Sequence, residues 1–418
     1  MRRTDPSSPA APTALSRRHA LALAAAATTA WSLPGGVSAA RADTRAEPSP
    51  TEIADRPIPR FTYDPASDPL RTFYAARDQR AQRRCTIVTL GNSLTEGTSA
   101  PTPFEGYPGQ TMHSLRDQFP TPAAGGLGYV PARYVIPNPS GPLWRYPGTV
   151  VKGTQHGIGR RVVPLAGAGT ATLAGPAWSH VKIAWWAVAR GDSITVQVDA
   201  GAAVTVTAES PGPKTWSSAT YASAAARTIR VAAVAGKPEL EGAWLFDGDV
   251  DRGIHVLNGG HHGSIAGSFS VATGVPAANS VWSDSLLRYD PALVTVSFHT
   301  NDPAQRTATQ FRADLAAVVN LLRTKTAAPI LLMAEFERQT MPAGRLWDDY
   351  TAAIAGVAAD NRSRMVDFLD VGQYIPKLSG TGGADPYGWL ATDRVHLTRA
   401  GYGRWAALLT AKLAATAR

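Results

Sequence analysis

The chain has 418 residues and a single cysteine, Cys85, so it is long enough for a full-sized core and roughly two domains, and no intramolecular disulfide holds it together. Its net charge of +9 is concentrated at the start: residues 1–42 hold five arginines and one aspartate, which leaves +5 for the remainder. That balance, with no block of Lys and Arg, excludes a nucleic-acid groove.

In chain order, Ser16-Arg17-Arg18-His19 precedes an apolar segment from Ala20 to Trp31, then Pro34-Gly35-Gly36 and the small residues Ser38 to Ala42. This is the order of a signal peptide's basic region, apolar region and cleavage site, and the paired arginines resemble a twin-arginine export signal. About twelve apolar residues are too few for a membrane anchor, which needs roughly twenty. The expectation is a leader over 1–42 and a secreted, extracytoplasmic protein with no integral membrane span. Residues 43–66, rich in Pro, Arg, Asp and Glu without a clear period, read as a linker or a surface strap.

From Asp68 to Arg84 the apolar spacing Leu70, Phe73, Tyr74, Ala76 predicts an amphipathic helix, followed by a strand over Thr86–Leu90. That strand runs into Gly91-Asn92-Ser93-Leu94-Thr95-Glu96-Gly97, a tight turn that carries a serine. A short helix is expected around Gly109 to Gln118. Cys85, just before the strand, reads as a small buried hydrophobe.

From 121 to 251 the composition shifts to Gly, Pro, Thr, Val and Trp, with alternating runs at Val181–Trp186, Ser193–Val198, Ala203–Thr207 and Thr228–Ala232. Short strands with regular turns predict an inserted β-sandwich or jelly roll. Strands then alternate with helices again: strands at Gly253–Leu257, Leu293–Phe298, Ile330–Glu335 and Met365–Leu369, helices at Ala304–Thr324, Leu346–Asn361 and Thr398–Ala414. That alternation predicts an α/β core with a parallel sheet, split into 67–120 and 252–418.

Chemistry-bearing residues fall at the ends of these elements. In Asp393-Arg394-Val395-His396 the spacing lets a carboxylate fix the orientation of an imidazole, and an oriented imidazole can activate a serine hydroxyl. Asn258-Gly259-Gly260-His261-His262-Gly263 and His299-Thr300-Asn301-Asp302 each follow a strand and offer N–H donors suited to an oxyanion. Each also reads as an ordinary strand-ending turn. In an open α/β sheet all of them gather at the carboxyl edge.

Taken together, Gly91–Gly97, Gly260–Gly263, Thr300-Asn301-Asp302 and Asp393-x-x-His396 with Gly401-Tyr402 resemble the four motifs of the SGNH (GDSL) hydrolase family. The resemblance covers about 85–120 and 250–415. It implies a three-layer, flavodoxin-like core and an acyl-serine mechanism without a cofactor. It also implies Ser93 as nucleophile, His396 as general base and acid, and Asp393 as its orienter. The N–H groups of Ser93 and Gly263 and the Asn301 amide would form the oxyanion hole. No Gly-x-Ser-x-Gly elbow surrounds Ser93, against the α/β-hydrolase alternative.

Two positions depart from the family. Asn92 replaces the aspartate of Gly-Asp-Ser-Leu, a position that mainly holds the turn, so altered loop hydrogen bonding with activity retained is expected. His299 replaces a glycine before Thr-Asn-Asp, where a bulky ring would narrow the pocket or contact substrate. Asn92, His262 and His299 are candidates for the substrate pocket. His255, His261, His262 and His299 lack cysteine partners and read as no metal site. Six tryptophans, Trp144, Trp178, Trp185, Trp186, Trp216 and Trp244, lie in or beside the insertion; it resembles a carbohydrate-binding module, although core packing also accounts for them.

The expected activity is hydrolysis of small acyl, especially acetyl, esters on a carbohydrate or small molecule. A lipase or phospholipase, an acyltransferase with the same acyl-serine chemistry, and a sugar-binding protein are the alternatives.

Overall fold

The computed structural model describes residues 50–418, except 123, 135–142, 149, 151–154, 271–276, 339, 377–384 and 386. The leader expected over 1–42 lies outside the described residues.

Five apolar runs form a parallel sheet: β1 (Cys85–Gly91), β2 (Ile254–Gly260), β3 (Leu293–Ser297), β4 (Ile330–Ala334) and β5 (Val366–Asp370), ordered β2-β1-β3-β4-β5. The order is flavodoxin-like. The central strands are apolar on both faces because both faces are covered. Helices α1 (Arg71–Asp78), α2 (Ser93–Glu96), α3 (Tyr107–Gln118), α4 (Ala308–Lys325), α5 (Trp347–Asp360) and α6 (Arg399–Leu413) supply most of that cover. Val88, Leu90, Val294, Val296 and Leu332 pack with Phe311, Leu315 and Val319 of α4 and Ile354 of α5. Their strand neighbours Ile87, Leu293, Leu331 and Met333 pack with Phe73 of α1, Leu115 of α3 and Trp405 of α6. The two-residue alternation of a strand thus sorts side chains into the two outer layers.

Residues 124–248 form two antiparallel sheets of five strands each. In the inner sheet, Ala124–Pro131, His180–Ala187 and Glu239–Gly248 lie side by side. Tyr129, Ala184, Trp244 and Phe246 face the parallel-sheet core with Val88 and Leu257. The alternate residues Val130, Ile183, Trp185, Ala243 and Leu245 face the outer sheet, where they meet Leu173, Ile194, Val196 and Val231. Contacts unite Pro48–Arg418 in one compact unit. A β-bulge at Glu241 adds polar ties: its carboxylate accepts from Tyr289 Oη at 2.9 Å, Ser285 Oγ at 3.0 Å and the Ile158 N–H at 3.0 Å, and meets Arg288 at 3.0 Å.

Within the segment expected to be a linker or a surface strap, Pro50–Ala54 forms a short helix, and Thr62–Tyr63 pairs in parallel with Thr416–Ala417. Five of the six tryptophans are buried and only Trp216 is partly exposed, which is the core packing expected for most of them. Their size fills the gaps between the sheets. Cys85 is fully buried, and burial pushes its thiol up to about 12. Among the described residues, no helix is long and apolar enough to cross a membrane.

Candidate active site

Gly91, the last residue of β1, lies in register with Gly260 of β2 on one side and Ser297 of β3 on the other. The three following turns therefore leave the sheet at one level on its carboxyl edge. Asn92 caps the helix that starts at Ser93: its Oδ1 accepts the Leu94 N–H at 2.9 Å, and the helix ends at Gly97 in the left-handed region with φ 94°. Gly260 permits the close approach of the second turn, because a Cβ there would sit 2.1 Å from the Glu96 nitrogen. The His261 N–H donates to the Gly91 carbonyl at 2.9 Å and fastens that turn to β1.

Ser93 is 303 residues from His396 in the chain, yet His396 Nε2 lies 2.8 Å from Ser93 Oγ. His396 Nδ1 lies 2.6 Å from Asp393 Oδ2. Asp393 sits in a turn, not a helix, and its Oδ1 accepts the N–H groups of Val395 at 3.0 Å and His396 at 2.9 Å. That local bonding aims the carboxylate at the ring. Partial burial would push the Asp393 carboxyl up, but the hydrogen bonds from the His396 ring and the two N–H groups outweigh it and leave the group below its ordinary value. Burial of His396 pulls its imidazole below 6.5; Asp393 opposes this and the neighbouring His262 adds to it. The ring is accordingly neutral at neutral pH and can accept the serine proton.

The turns that follow β2 and β3 carry the other two expected donors, Gly263 and Asn301. Asn301 Nδ2 donates to the Ser264 carbonyl at 3.0 Å, which orients the amide while leaving its second N–H available. Gly263 takes φ 77°, a left-handed conformation that glycine adopts without strain. The preceding His262 N–H donates to Glu96 Oε2 at 2.6 Å, its ring Nδ1 lies 3.2 Å from Thr98 Oγ1, and the ring stacks 5.7 Å from that of His396.

Asn92 and His299, expected as pocket candidates, do not line one. Asn92 is fully buried, and its amide Nδ2 is directed at Glu335, 2.9 and 3.0 Å from the two carboxylate oxygens. His299 is also fully buried and stacks 3.5 Å from Trp347; burial pulls its imidazole down to about 3, with the backbone of Trp347 opposing in part. In both cases the side chain lies within the protein interior. Among the described residues no group of three or more His, Cys, Asp or Glu is placed to hold a metal ion.

Three supporting residues escaped the sequence reading. Glu335 follows β4. Glu96, at the end of α2, meets Arg161 at 3.4 Å, both buried, and Arg161 also donates to the Asn258 carbonyl. No local spacing links these residues; Arg161 comes from the antiparallel part of the chain.

The model of the GDSL-like lipase/acylhydrolase family matches residues 189–404, more than half of the chain. The match includes Gly263, Asn301, Asp393 and His396 and begins after Ser93. A solved structure entitled "Peptidoglycan O-acetylesterase in action, 5 min" is similar with 18% identity and a TM-score of 0.62, over 85% of this chain and 97% of that one. That likeness is one of fold. A family two carbohydrate esterase from Cellvibrio japonicus aligns at 12% identity over 68% of this chain and 96% of that one, with a TM-score of 0.30 that is too low to argue from. No curated protein sequence matches the chain. The parallel core, the strand-end turns and the family match lead to one conclusion: the chain belongs to the GDSL-like lipase/acylhydrolase family and is a serine esterase.

Proposed function

We propose that the protein is a secreted esterase that removes small acyl groups, acetyl above all, from a carbohydrate through an acyl-serine intermediate. The observation that carries the mechanism is the continuous hydrogen-bonded chain from Ser93 Oγ through His396 to Asp393, at 2.8 and 2.6 Å. Ser93 Oγ attacks the ester carbonyl carbon as His396 Nε2 takes its proton. Charge on the carbonyl oxygen meets the N–H groups of Ser93 and Gly263 and the Asn301 amide, each such donor typically lowering the barrier by roughly 3–4 kcal/mol. His396 returns the proton to the departing alcohol oxygen as the ester bond breaks. Water then attacks the acyl-serine, His396 takes its proton, and collapse returns that proton to Ser93. Asp393 stabilises the imidazolium at each stage.

Two observations support a small acyl group on a sugar. Ser93 is 2% exposed and His396 8%, so little of the hydroxyl's surroundings is open, which suits a small acyl group. The structural neighbour with the same fold is named as an O-acetylesterase of a glycan, peptidoglycan. Residues 121–251 are read as an accessory β-sandwich on the core. Export rests on the order Arg17-Arg18, apolar segment, small residues near 38–42. The substrate test measures acetyl through palmitoyl p-nitrophenyl esters beside O-acetylated peptidoglycan and xylan. A preference for acetyl with release of acetate from a glycan is expected; preference for long chains overturns the reading in favour of a lipase.

A further inference from the structure

Glu335 stands one residue past β4 and is fully buried, and no step of the chemistry above uses it. Its Oε1 lies 2.9 Å from Asn92 Nδ2 and accepts Ser297 Oγ at 2.8 Å. Its Oε2 lies 3.0 Å from the same Asn92 nitrogen and accepts the Thr300 N–H at 2.6 Å and Thr300 Oγ1 at 2.5 Å. Each of these neighbours offers a proton, so the position suits an acceptor with no proton of its own, which is an ionised carboxylate.

The Asn92 amide cannot turn round to suit another partner. Its Oδ1 already holds the Leu94 N–H at 2.9 Å, and reversal would set NH2 against N–H on that side and oxygen against carboxylate on the other. Asn92 immediately precedes Ser93, and Thr300 immediately precedes Asn301. One side chain therefore grips both the turn that bears the hydroxyl and the turn that bears the donor amide. Arg338 also donates to the Thr300 carbonyl at 3.0 Å, so both backbone polar groups of Thr300 are held.

We infer that Glu335 is a positioning residue for ester hydrolysis, a buried carboxylate that fixes the Ser93 turn and the Asn301 turn relative to each other, with Asn92 as its matched partner. The inference rests on the serine esterase reading. Because the pair is a donor amide facing an acceptor carboxylate, the polarity can be exchanged: aspartate at 92 would still accept the Leu94 N–H and would face a glutamine at 335 that donates to it. The single changes break this match in a fully buried place: Asn92→Asp sets carboxylate against carboxylate, and Glu335→Gln puts an NH2 group where one of the donors of Asn92, Ser297 or Thr300 had an acceptor. A displacement of either turn by about 1 Å costs roughly 100-fold in rate without weakening ground-state binding to match.

The experiment measures kcat and KM for p-nitrophenyl acetate, and the rate at which a fluorophosphonate probe labels Ser93. It uses wild type, Ser93→Ala, Asn92→Asp, Glu335→Gln, the double variant Asn92→Asp/Glu335→Gln, and Thr300→Val, which removes one bond to Glu335 and leaves the carboxylate in place. Thermal melting selects the proteins that are folded at the assay temperature. The expected result is a fall in kcat and labelling of about 10- to 100-fold in each single variant at 92 and 335, with KM within about threefold. The double variant is expected to recover most of the loss, and Thr300→Val to lose a smaller factor in kcat alone. The inference is overturned if folded Glu335→Gln keeps wild-type kcat, if the folded double variant is no better than the worse single, or, should the variants at 92 and 335 unfold, if Thr300→Val leaves kcat unchanged. A wild type that neither turns over nor labels at Ser93 defeats the esterase reading itself, and this inference with it; an active wild type beside an equally active Glu335→Gln defeats the inference alone.

Discussion

The His262 N–H donates to the Glu96 carboxylate at 2.6 Å, which ties the turn that carries Gly263 to the helix that begins at Ser93. The same carboxylate meets Arg161 from the antiparallel part of the chain at 3.4 Å. A residue from the antiparallel part is thus linked through Glu96 to the turn that carries Gly263, the turn proposed to supply an oxyanion donor.

Arg161→Met tests that coupling. Arg161 is 1% exposed, and removing one member of a buried ion pair leaves a charge desolvated, typically at a cost of about 3–5 kcal/mol. The expected outcome is a lower melting temperature together with a fall in kcat of about tenfold, larger than the change in KM. Thermal melts and steady-state kinetics on the same preparation check both.

Asp393→Asn keeps the shape of the turn but removes the charge that holds the imidazole. A loss of about 10²–10⁴-fold in kcat is expected, in the range for the third member of such a triad. The sign for pH follows from the electrostatics: Asp393 raises the His396 pKa, so without it the acid limb of kcat/KM moves to lower pH while the plateau falls. In wild type the limb itself lies below 6.5, because burial already disfavours the imidazolium.

His262→Gln probes the opposite influence. Burial is the main cause of the low His396 pKa, and His262 pulls in the same direction. Its removal is expected to move the acid limb of kcat/KM upward, which a pH–rate profile detects. A shift downward contradicts the arrangement.

His299→Phe concerns stability, not catalysis. The folded pKa of about 3 lies below the ordinary 6.5, so between these values the unfolded chain binds more protons, and stability present above 6.5 is lost as pH falls. Phenylalanine keeps the stack on Trp347 without that proton linkage. The melting temperature of the variant is expected to fall less steeply between pH 6.5 and 4, by an equivalent of at most about 3 kcal/mol. His255 at about 3 and His261 at about 4 act in the same direction and remain, while the buried carboxyls of Glu335 and Asp302, whose pKa values are raised, act in the opposite one. Comparing the variant with wild type isolates His299.

The parallel strands were legible because each is a short run dominated by apolar residues that alternates with helical segments, and the four motifs were legible because their spacing within each turn is local. The strand Ala124–Pro131 was not: its three glycines, two of them with φ of 101° and 88°, lower its strand propensity, and it pairs because Glu239–Gly248 lies beside it. Glu239–Gly248 was hidden in turn by two glutamates that become buried among partners distant in sequence. Glu335 looked like a polar residue ending an apolar strand; its role comes from Asn92, Ser297 and Thr300, which only the sheet brings to it. Asn92 holds the turn, as its place in the motif implied, by accepting the Leu94 N–H, while its pocket reading and that of His299 fail because the side chains turn inward toward a carboxylate and a tryptophan.

The central claim is that Ser93 carries the acyl group. Intact-mass measurement after brief mixing with p-nitrophenyl acetate at low pH, followed by peptide mapping, tests it most directly. One acetyl adduct on the peptide containing Ser93, absent in Ser93→Ala together with turnover, is the predicted result; hydrolysis by Ser93→Ala at the wild-type rate, or an adduct on another residue, contradicts it.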